Sequence, residues 1–187
     1  MPAVVCMGDS ITNGLGLAEP WPQKLCFLLG PTYSVYNVGV TGQTSSSTLA
    51  NWTSGVDNKL FNYVVVLTGI NDIRLSTTAA AIYANLEAIY NGCLADVGCT
   101  PVLITLLPAG TSPAWDGAPM QAQLDALNAL IRTYASTNSV PIWDGYAAMG
   151  EPGNPTMLAT AYGPDGLHPN QAGADVIAAA VAAVILA

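Results

Sequence analysis

The chain has 187 residues, 51% of them hydrophobic, which is enough for one domain with a complete apolar core. Four Lys and Arg residues against twelve Asp and Glu residues give a net charge of -8. This charge has the wrong sign for a nucleic-acid backbone or an anionic membrane surface, so neither partner is expected. The C-terminal apolar stretch "VIAAAVAAVILA" is too short to span a bilayer, and no membrane insertion is predicted.

The first half of the chain alternates short apolar runs with helical patterns. Runs rich in β-branched residues predict three buried strands, at residues 3–8, 33–39 and 63–69. The helical patterns predict a helix over 21–29 that ends at Gly30, a helix around Thr48, and a helix over 77–96 begun by a threonine cap.

The second half continues the same alternation. Apolar runs predict strands at 101–107 and 140–145, and helical periodicity predicts helices at 120–137 and from about Asn170 to the C-terminus. Strands that are apolar on both faces and alternate with helices are typical of a parallel sheet covered on each side. The predicted fold class is α/β, a three-layer α/β/α sandwich with a central parallel five-stranded sheet, as one domain over 1–187.

Ligands bind beyond the carboxyl ends of the strands in such sheets, and these ends carry glycines and polar residues. The first strand ends at "GDS", the second at "NVGVTG", the third at "TGIND" and the fourth at "LLPAG". Taken singly, these residues are the ordinary residues of turns and helix caps. A further signal is needed to assign them a chemical role.

The single histidine of the chain supplies that signal. His168 lies in "YGPDGLHPNQAG", three residues after Asp165, a spacing that lets the carboxylate accept the imidazole Nδ1–H. Such a pair suits a general base that acts on a serine, and Ser10 ends the first strand. One histidine and scattered cysteines do not make a zinc site, and the chain has neither a phosphate loop nor a dinucleotide motif. No metal or cofactor is therefore expected.

Four sequence blocks together resemble the SGNH hydrolases, also called the GDSL esterase family. The blocks are "GDSIT", "NVGVTGQTS", "GIND" and "DGLHPN", and the match runs from Gly8 to about Gly173 in the family's order. Ile11 stands where the family name has leucine, and Thr41 stands where many members have serine. The serine is not in a GxSxG motif, which favours the flavodoxin-like SGNH fold over the α/β-hydrolase fold.

The resemblance implies a serine esterase that acts through an acyl-enzyme. It makes Ser10 the nucleophile, His168 the general base and Asp165 the carboxylate that orients it. Gly39 and Asn71, together with the backbone N–H of Ser10, would form the oxyanion hole. Losing one such donor typically costs about 10²–10³ in kcat.

Two carboxylates in the same sequence blocks are predicted to have a structural role and no catalytic one. Asp9 and Asp72 occupy family positions beside the site, but a negative charge there would repel a developing oxyanion. We therefore predict that both support loop structure.

Two loops, 106–119 and 144–164, are expected to shape the substrate site. They contribute Trp115, Met149 and Tyr162, with Met157, as a modest apolar wall and contain no long amphipathic lid. Short Gly/Pro-rich loops favour short acyl esters, with acetyl esters of carbohydrates among the candidates. A general or aryl esterase, a thioesterase, a lysophospholipase and an acyltransferase remain alternatives from the same family. A binding domain without catalysis would be expected to lack one or more of these catalytic residues. The sequence lacks none of them.

The four cysteines give an indication of the cellular compartment in which the protein works. Cys93 and Cys99 bracket "LADVG", where a small disulfide loop is plausible, and with the low lysine content this favours an exported protein. The alternative is four reduced, buried cysteines, which Cys6 in an apolar strand would fit. No signal-peptide pattern precedes the first predicted strand, so none is expected within the chain.

Overall fold

Five parallel strands form the central sheet of the computed structural model, which describes residues 1–56, 60–110 and 117–187. The sheet order is β2-β1-β3-β4-β5. Val5 at the centre of β1 pairs with Tyr36 on one side and Val64 on the other. The strands are β1 Ala3–Gly8, β2 Ser34–Asn37, β3 Tyr63–Leu67, β4 Thr100–Ile104 and β5 Ile142–Trp143. The predicted α/β class with a parallel five-stranded sheet is confirmed.

Helices cover both faces of this sheet. The first and the last of the longer helices, α2 and α8, pack against each other. Helix α5 packs against both α3 and α6. A π-helical turn over Trp52–Val56 follows α3. The helices are α1 Ser10–Asn13, α2 Trp21–Leu29, α3 Ser45–Asn51, α4 Ile70–Arg74, α5 Ala79–Ala95, α6 Gly117–Asn138, α7 Gly145–Met149 and α8 Gln171–Leu186.

The five longer helices lie where the sequence predicts them. Thr78 caps α5 by accepting the N–H of Ala81, and Asn170 caps α8 by accepting the N–H of Gly173. The three helices α1, α4 and α7 are absent from the prediction because four or five residues are too few to show a 3.6-residue period. A small antiparallel hairpin, β6 Gly150–Glu151 with β7 Asn154–Leu158, is also absent from it.

Four predicted strands, all but the first, are longer than the observed ones. The apolar run over 101–107 continues past Ile104, where β4 ends, because apolarity marks burial and not ladder pairing. Leu106 and Leu107 are still 2% and 3% exposed, so the run lies in the core beyond the strand. In the part of the chain that the structure covers, no helix combines the length and the apolarity needed to cross a membrane.

The predicted disulfide between Cys93 and Cys99 is present. Their Cα atoms lie 5.5 Å apart, and the bond joins the end of α5 to the residue before β4. Cys6 and Cys26 are free thiols, and complete burial of Cys6 in β1 raises the pKa of its thiol.

Candidate active site

Ser10 lies at the junction of β1 and α1. The strand ends at Gly8 with φ +156°, where a Cβ would overlap the Leu67 carbonyl and Thr12 Oγ1, so only glycine fits. Asp9 then caps α1, since its Oδ1 accepts the N–H of Ile11 at 2.9 Å. As the first residue of the helix, Ser10 keeps a backbone N–H that has no helical acceptor. Its position is therefore set by the strand end and the cap.

A chain of hydrogen bonds joins three predicted site residues across 158 positions of sequence. Ser10 Oγ lies 3.0 Å from His168 Nε2, and His168 Nδ1 lies 2.8 Å from Asp165 Oδ2. Both distances are within the range for direct proton transfer between heavy atoms. The structure thus brings the predicted nucleophile, base and carboxylate into one line.

Asp165 is held in place by its own loop. Its Oδ1 accepts the N–H of Leu167 at 2.9 Å and the N–H of His168 at 2.7 Å, which leaves Oδ2 for the imidazole. Partial burial acts to raise the pKa of this carboxyl, but the hydrogen bonds from Leu167 and His168 outweigh it and hold the pKa below its ordinary value. An ionised carboxylate favours the Nδ1–H tautomer of His168, so the Nε2 lone pair faces Ser10.

Of the two further predicted oxyanion donors, Asn71 has an amide hydrogen to offer, whereas the Gly39 N–H already has an acceptor. Asn71 Nδ2 donates to the Gln43 carbonyl at 3.0 Å, and the second amide hydrogen stays available. The Gly39 N–H instead donates to Asn37 Oδ1 at 3.0 Å. This corrects the prediction for Gly39, since an N–H that already has a side-chain acceptor is not free to bind an oxyanion.

Gly42, three residues later, has the free donor. It lies in a turn closed by the Gln43 N–H on the Val40 carbonyl, with φ +78° that favours glycine. Its own N–H has no acceptor within the described residues. Gly42 and Asn71 line the same recess. The signal for Gly42 was present in the sequence as the second glycine of "NVGVTG".

The loop that carries Gly42 is tied to α1. Asn13 Nδ2 donates to the Gly39 carbonyl at 3.1 Å, and Thr41 Oγ1 donates to Asn13 Oδ1 at 3.3 Å. Asn37 Nδ2 donates to the Thr12 carbonyl at 3.0 Å. Many family members have serine in place of Thr41. The Thr41 hydroxyl therefore helps to hold this loop against α1.

The two buried aspartates hold loops, and one of them has a raised pKa. Asp72 accepts the Ser45 N–H at 2.8 Å and the Ser45 hydroxyl at 2.7 Å, which ties α4 to α3. Asp9 accepts the Ile11 N–H at 2.9 Å and has no basic side chain paired with it among the described residues. Burial raises the pKa of Asp9 to about 7, the Ile11 hydrogen bond opposes this, and the charge of Asp72 adds to it.

We expect Asp9→Asn to stabilise the fold at alkaline pH. In the wild type the folded-state pKa of about 7 exceeds the ordinary value of 3.8, so stability falls as pH rises between these values. The amide is neutral at every pH and keeps an oxygen for the Ile11 N–H. Denaturant unfolding at several pH values measures the difference, with roughly 4 kcal/mol as the upper bound above pH 7. Exposed Asp125→Asn is the control, and a gain that does not grow with pH contradicts the prediction.

The predicted substrate contacts have mixed outcomes. Met149 is 0% exposed and packs below the start of α8, close to Gly173, so the structure corrects its assignment to the substrate wall. Tyr162 is half-buried, and its carbonyl accepts the Asn170 N–H, so it supports the loop that leads to Asp165. Trp115 lies outside the described residues.

A small apolar cavity lies beside the reacting groups. Asp9 and Ile11, on either side of Ser10, line it together with Leu167, the neighbour of His168. Its volume is about 10 Å³, room for about one water molecule. The rest of the lining comes from the carboxyl ends of β3 and β4 and the residues that follow them: Leu67, Thr68, Ile70, Leu106, Leu107, Pro108 and Ala109.

A parallel α/β sheet with a serine, a histidine and an aspartate linked at its carboxyl edge is typical of hydrolases that work on acyl groups. The sequence matches the model of the GDSL-like Lipase/Acylhydrolase family over residues 6–176, and the chain belongs to this family. No curated protein matches it.

Solved structures from several bacteria have the same fold. A GDSL-like lipase from Bacteroides thetaiotaomicron is 27% identical with a TM-score of 0.83, covering 98% of this chain and 87% of that one. An acetylxylan esterase from Geobacillus stearothermophilus is 21% identical, with a TM-score of 0.81 and coverages of 98% and 94%. A carbohydrate acetylesterase from Sinorhizobium meliloti is 17% identical, with a TM-score of 0.77 and coverages of 100% and 99%. The family and these neighbours support assignment of the protein to the hydrolases.

Proposed function

We propose that this protein is a serine esterase that hydrolyses short-chain carboxylic esters, acetyl esters first, through an acyl-enzyme on Ser10. The observation that carries the proposal is the line of hydrogen bonds at 3.0 Å and 2.8 Å from Ser10 through His168 to Asp165. A serine hydroxyl is a weak nucleophile, and an adjacent base that removes its proton is what activates it.

The geometry supports the following order of steps. Ser10 Oγ attacks the ester carbonyl as its proton passes to His168 Nε2, while Asp165 stabilises the imidazolium. The oxyanion then accepts hydrogen bonds from the N–H of Ser10, the N–H of Gly42 and the free amide hydrogen of Asn71. His168 returns the proton to the leaving alcohol, and a water molecule activated by the same histidine releases the acid from Ser10.

The proposed acyl preference depends on the small apolar cavity. Its volume of about 10 Å³ holds a group of about the size of a water molecule and leaves no room for a long chain, so acetyl is the acyl group that it favours. Buried neighbours close it, since Leu106 and Leu107 are almost inaccessible to solvent. Carbohydrate acetylesterases and acetylxylan esterases among the structural neighbours make acetylated sugars the substrates to try first.

A series of p-nitrophenyl esters from acetate to decanoate tests this preference. We expect kcat/KM to be highest for acetate and to fall by about tenfold or more by hexanoate, because forcing added methylene groups into a closed apolar site costs about 1–3 kcal/mol. Mass spectrometry of the protein treated with a small alkyl phosphonate is expected to place the adduct on Ser10.

A matched pair of variants links the preference to the cavity. Leu107→Ala enlarges the cavity and is expected to move the preference toward butyrate, whereas Leu86→Ala removes an equally buried leucine from α5 and leaves the preference at acetate. Values of kcat/KM that rise steadily to decanoate indicate a lipase and reject the short-chain assignment. Hydrolysis of thioesters alone would favour a thioesterase. Transfer of the acyl group to an added alcohol in place of hydrolysis would favour an acyltransferase.

A further inference from the structure

A larger recess opens beside the candidate oxyanion donors. It has a volume of about 320 Å³ and is lined by Gly42, Asn71, Arg74 and Leu75. This size is at the lower end for sites that bind small molecules. Its lining carries one cation and no carboxylate, although acidic residues outnumber basic ones three to one in the whole chain.

Among the lysine and arginine side chains of the described residues, Arg74 is the one without an ion pair. The Lys24 amine forms an ion pair with Glu19 at 3.5 Å, and Arg132 binds Asp144 through two hydrogen bonds of 2.9 Å. Arg74 is exposed and has no such partner among the described residues. Arg74 lies in the last turn of α4, where the helix dipole favours a positive charge. This interaction leaves the hydrogen-bond donors of the guanidinium free.

Resting on the proposed function, we infer that Arg74 binds a carboxylate on the alcohol part of the ester, so that the preferred substrates are acetylated acidic sugars. The apolar cavity takes the acyl methyl, and the recess next to Gly42 and Asn71 then receives the other side of the ester. A guanidinium presents a planar fork of donors that matches a carboxylate. Asp72, the other charged residue of α4, is buried, and its carboxylate is bound by the N–H and the hydroxyl of Ser45.

The test compares two substrates that differ only in charge, an O-acetylated methyl glucuronoside and its uronamide. We expect the wild type to hydrolyse the carboxylate with about fivefold higher kcat/KM than the amide, since exposed ion pairs are worth up to about 1 kcal/mol. Arg74→Gln is expected to bring this ratio to about one, and Arg74→Lys to retain part of it. Lys24→Gln makes the same change of net charge on α2 and is expected to keep the wild-type ratio.

The outcomes separate this inference from the function on which it rests. If p-nitrophenyl acetate is hydrolysed in a Ser10-dependent manner while the wild-type ratio is near one, the assignment of Arg74 is overturned and the esterase remains. An unchanged ratio in Arg74→Gln also overturns it, because the carboxylate is then recognised elsewhere. If no ester is hydrolysed in a Ser10-dependent manner, the proposed function fails and the inference fails with it. A ratio that falls as salt is added supports an exposed ion pair.

Discussion

Ser10→Ala is expected to lower kcat toward p-nitrophenyl acetate by about 10⁶, as loss of the nucleophile does in a serine protease. The reason is geometric: Ser10 Oγ is the hydroxyl that lies within 3.0 Å of the only imidazole of the chain. KM is expected to change little, because the cavity, the recess and the oxyanion donors all remain. Initial rates at saturating ester, with a correction for spontaneous hydrolysis, measure the effect.

A second variant and a control test whether Ser10 and His168 act together in the reaction. His168→Ala is expected to cost at least about 10³, and the double variant should lose no more than the more damaging single one, because the two residues act as a unit. Ser54→Ala, an exposed serine after α3, is expected to leave kcat unchanged. Costs of the two single substitutions that multiply in the double variant contradict a shared proton-transfer step. Retention of near-normal rate by His168→Ala excludes it as the base.

The three-layer arrangement of the fold follows from patterns that the sequence displays directly. Apolar runs such as that of β3 are buried on both faces, since Val64 and Val65 are both 0% exposed, and this requires helices on each side. The link from Ser10 to His168 could also be predicted, because one histidine with an aspartate three residues before it leaves few other assignments.

The loop that carries Gly39 and Gly42 shows what could not be predicted from the sequence. Gly39 and Gly42 are both glycines of one short block, and composition does not distinguish them. What distinguishes them is the Asn37 side chain, which folds back onto the Gly39 N–H at 3.0 Å, and the turn that gives Gly42 a φ of +78°. Both are local conformations that depend on contacts with α1.

Met149 could not be placed from sequence for a related reason. A methionine in a Gly/Pro-rich loop is expected to face the site, but Met149 ends the short helix α7, which one turn of sequence does not reveal. The helix and the hairpin that follows it turn the side chain into the core. The cavity beside Ser10 was equally hidden, because its lining comes from the ends of β1, β3 and β4 and from the residue before His168.

Asp165→Asn is expected to lower kcat by about 10⁴, as the same change does in the triad of a serine protease. Two backbone N–H groups, from Leu167 and His168, bind Oδ1 and require an acceptor there. The asparagine oxygen must therefore take that position, which leaves its NH₂ group facing His168 Nδ1. Nδ1 then becomes the acceptor, Nε2 carries the hydrogen, and the imidazole cannot remove the proton of Ser10.

This argument predicts that Asp165→Ala is less damaging than Asp165→Asn, although alanine removes more of the side chain. The Asp165 side chain is 53% exposed, so a water molecule can replace the lost carboxylate as the acceptor for Nδ1–H. The productive tautomer of His168 then stays accessible, whereas asparagine enforces the other one. Values of kcat for both variants and the ¹⁵N chemical shifts of the single histidine measure rate and tautomer together. An alanine variant slower than the asparagine variant would mean that the charge of Asp165, and not the tautomer it selects, carries most of its effect.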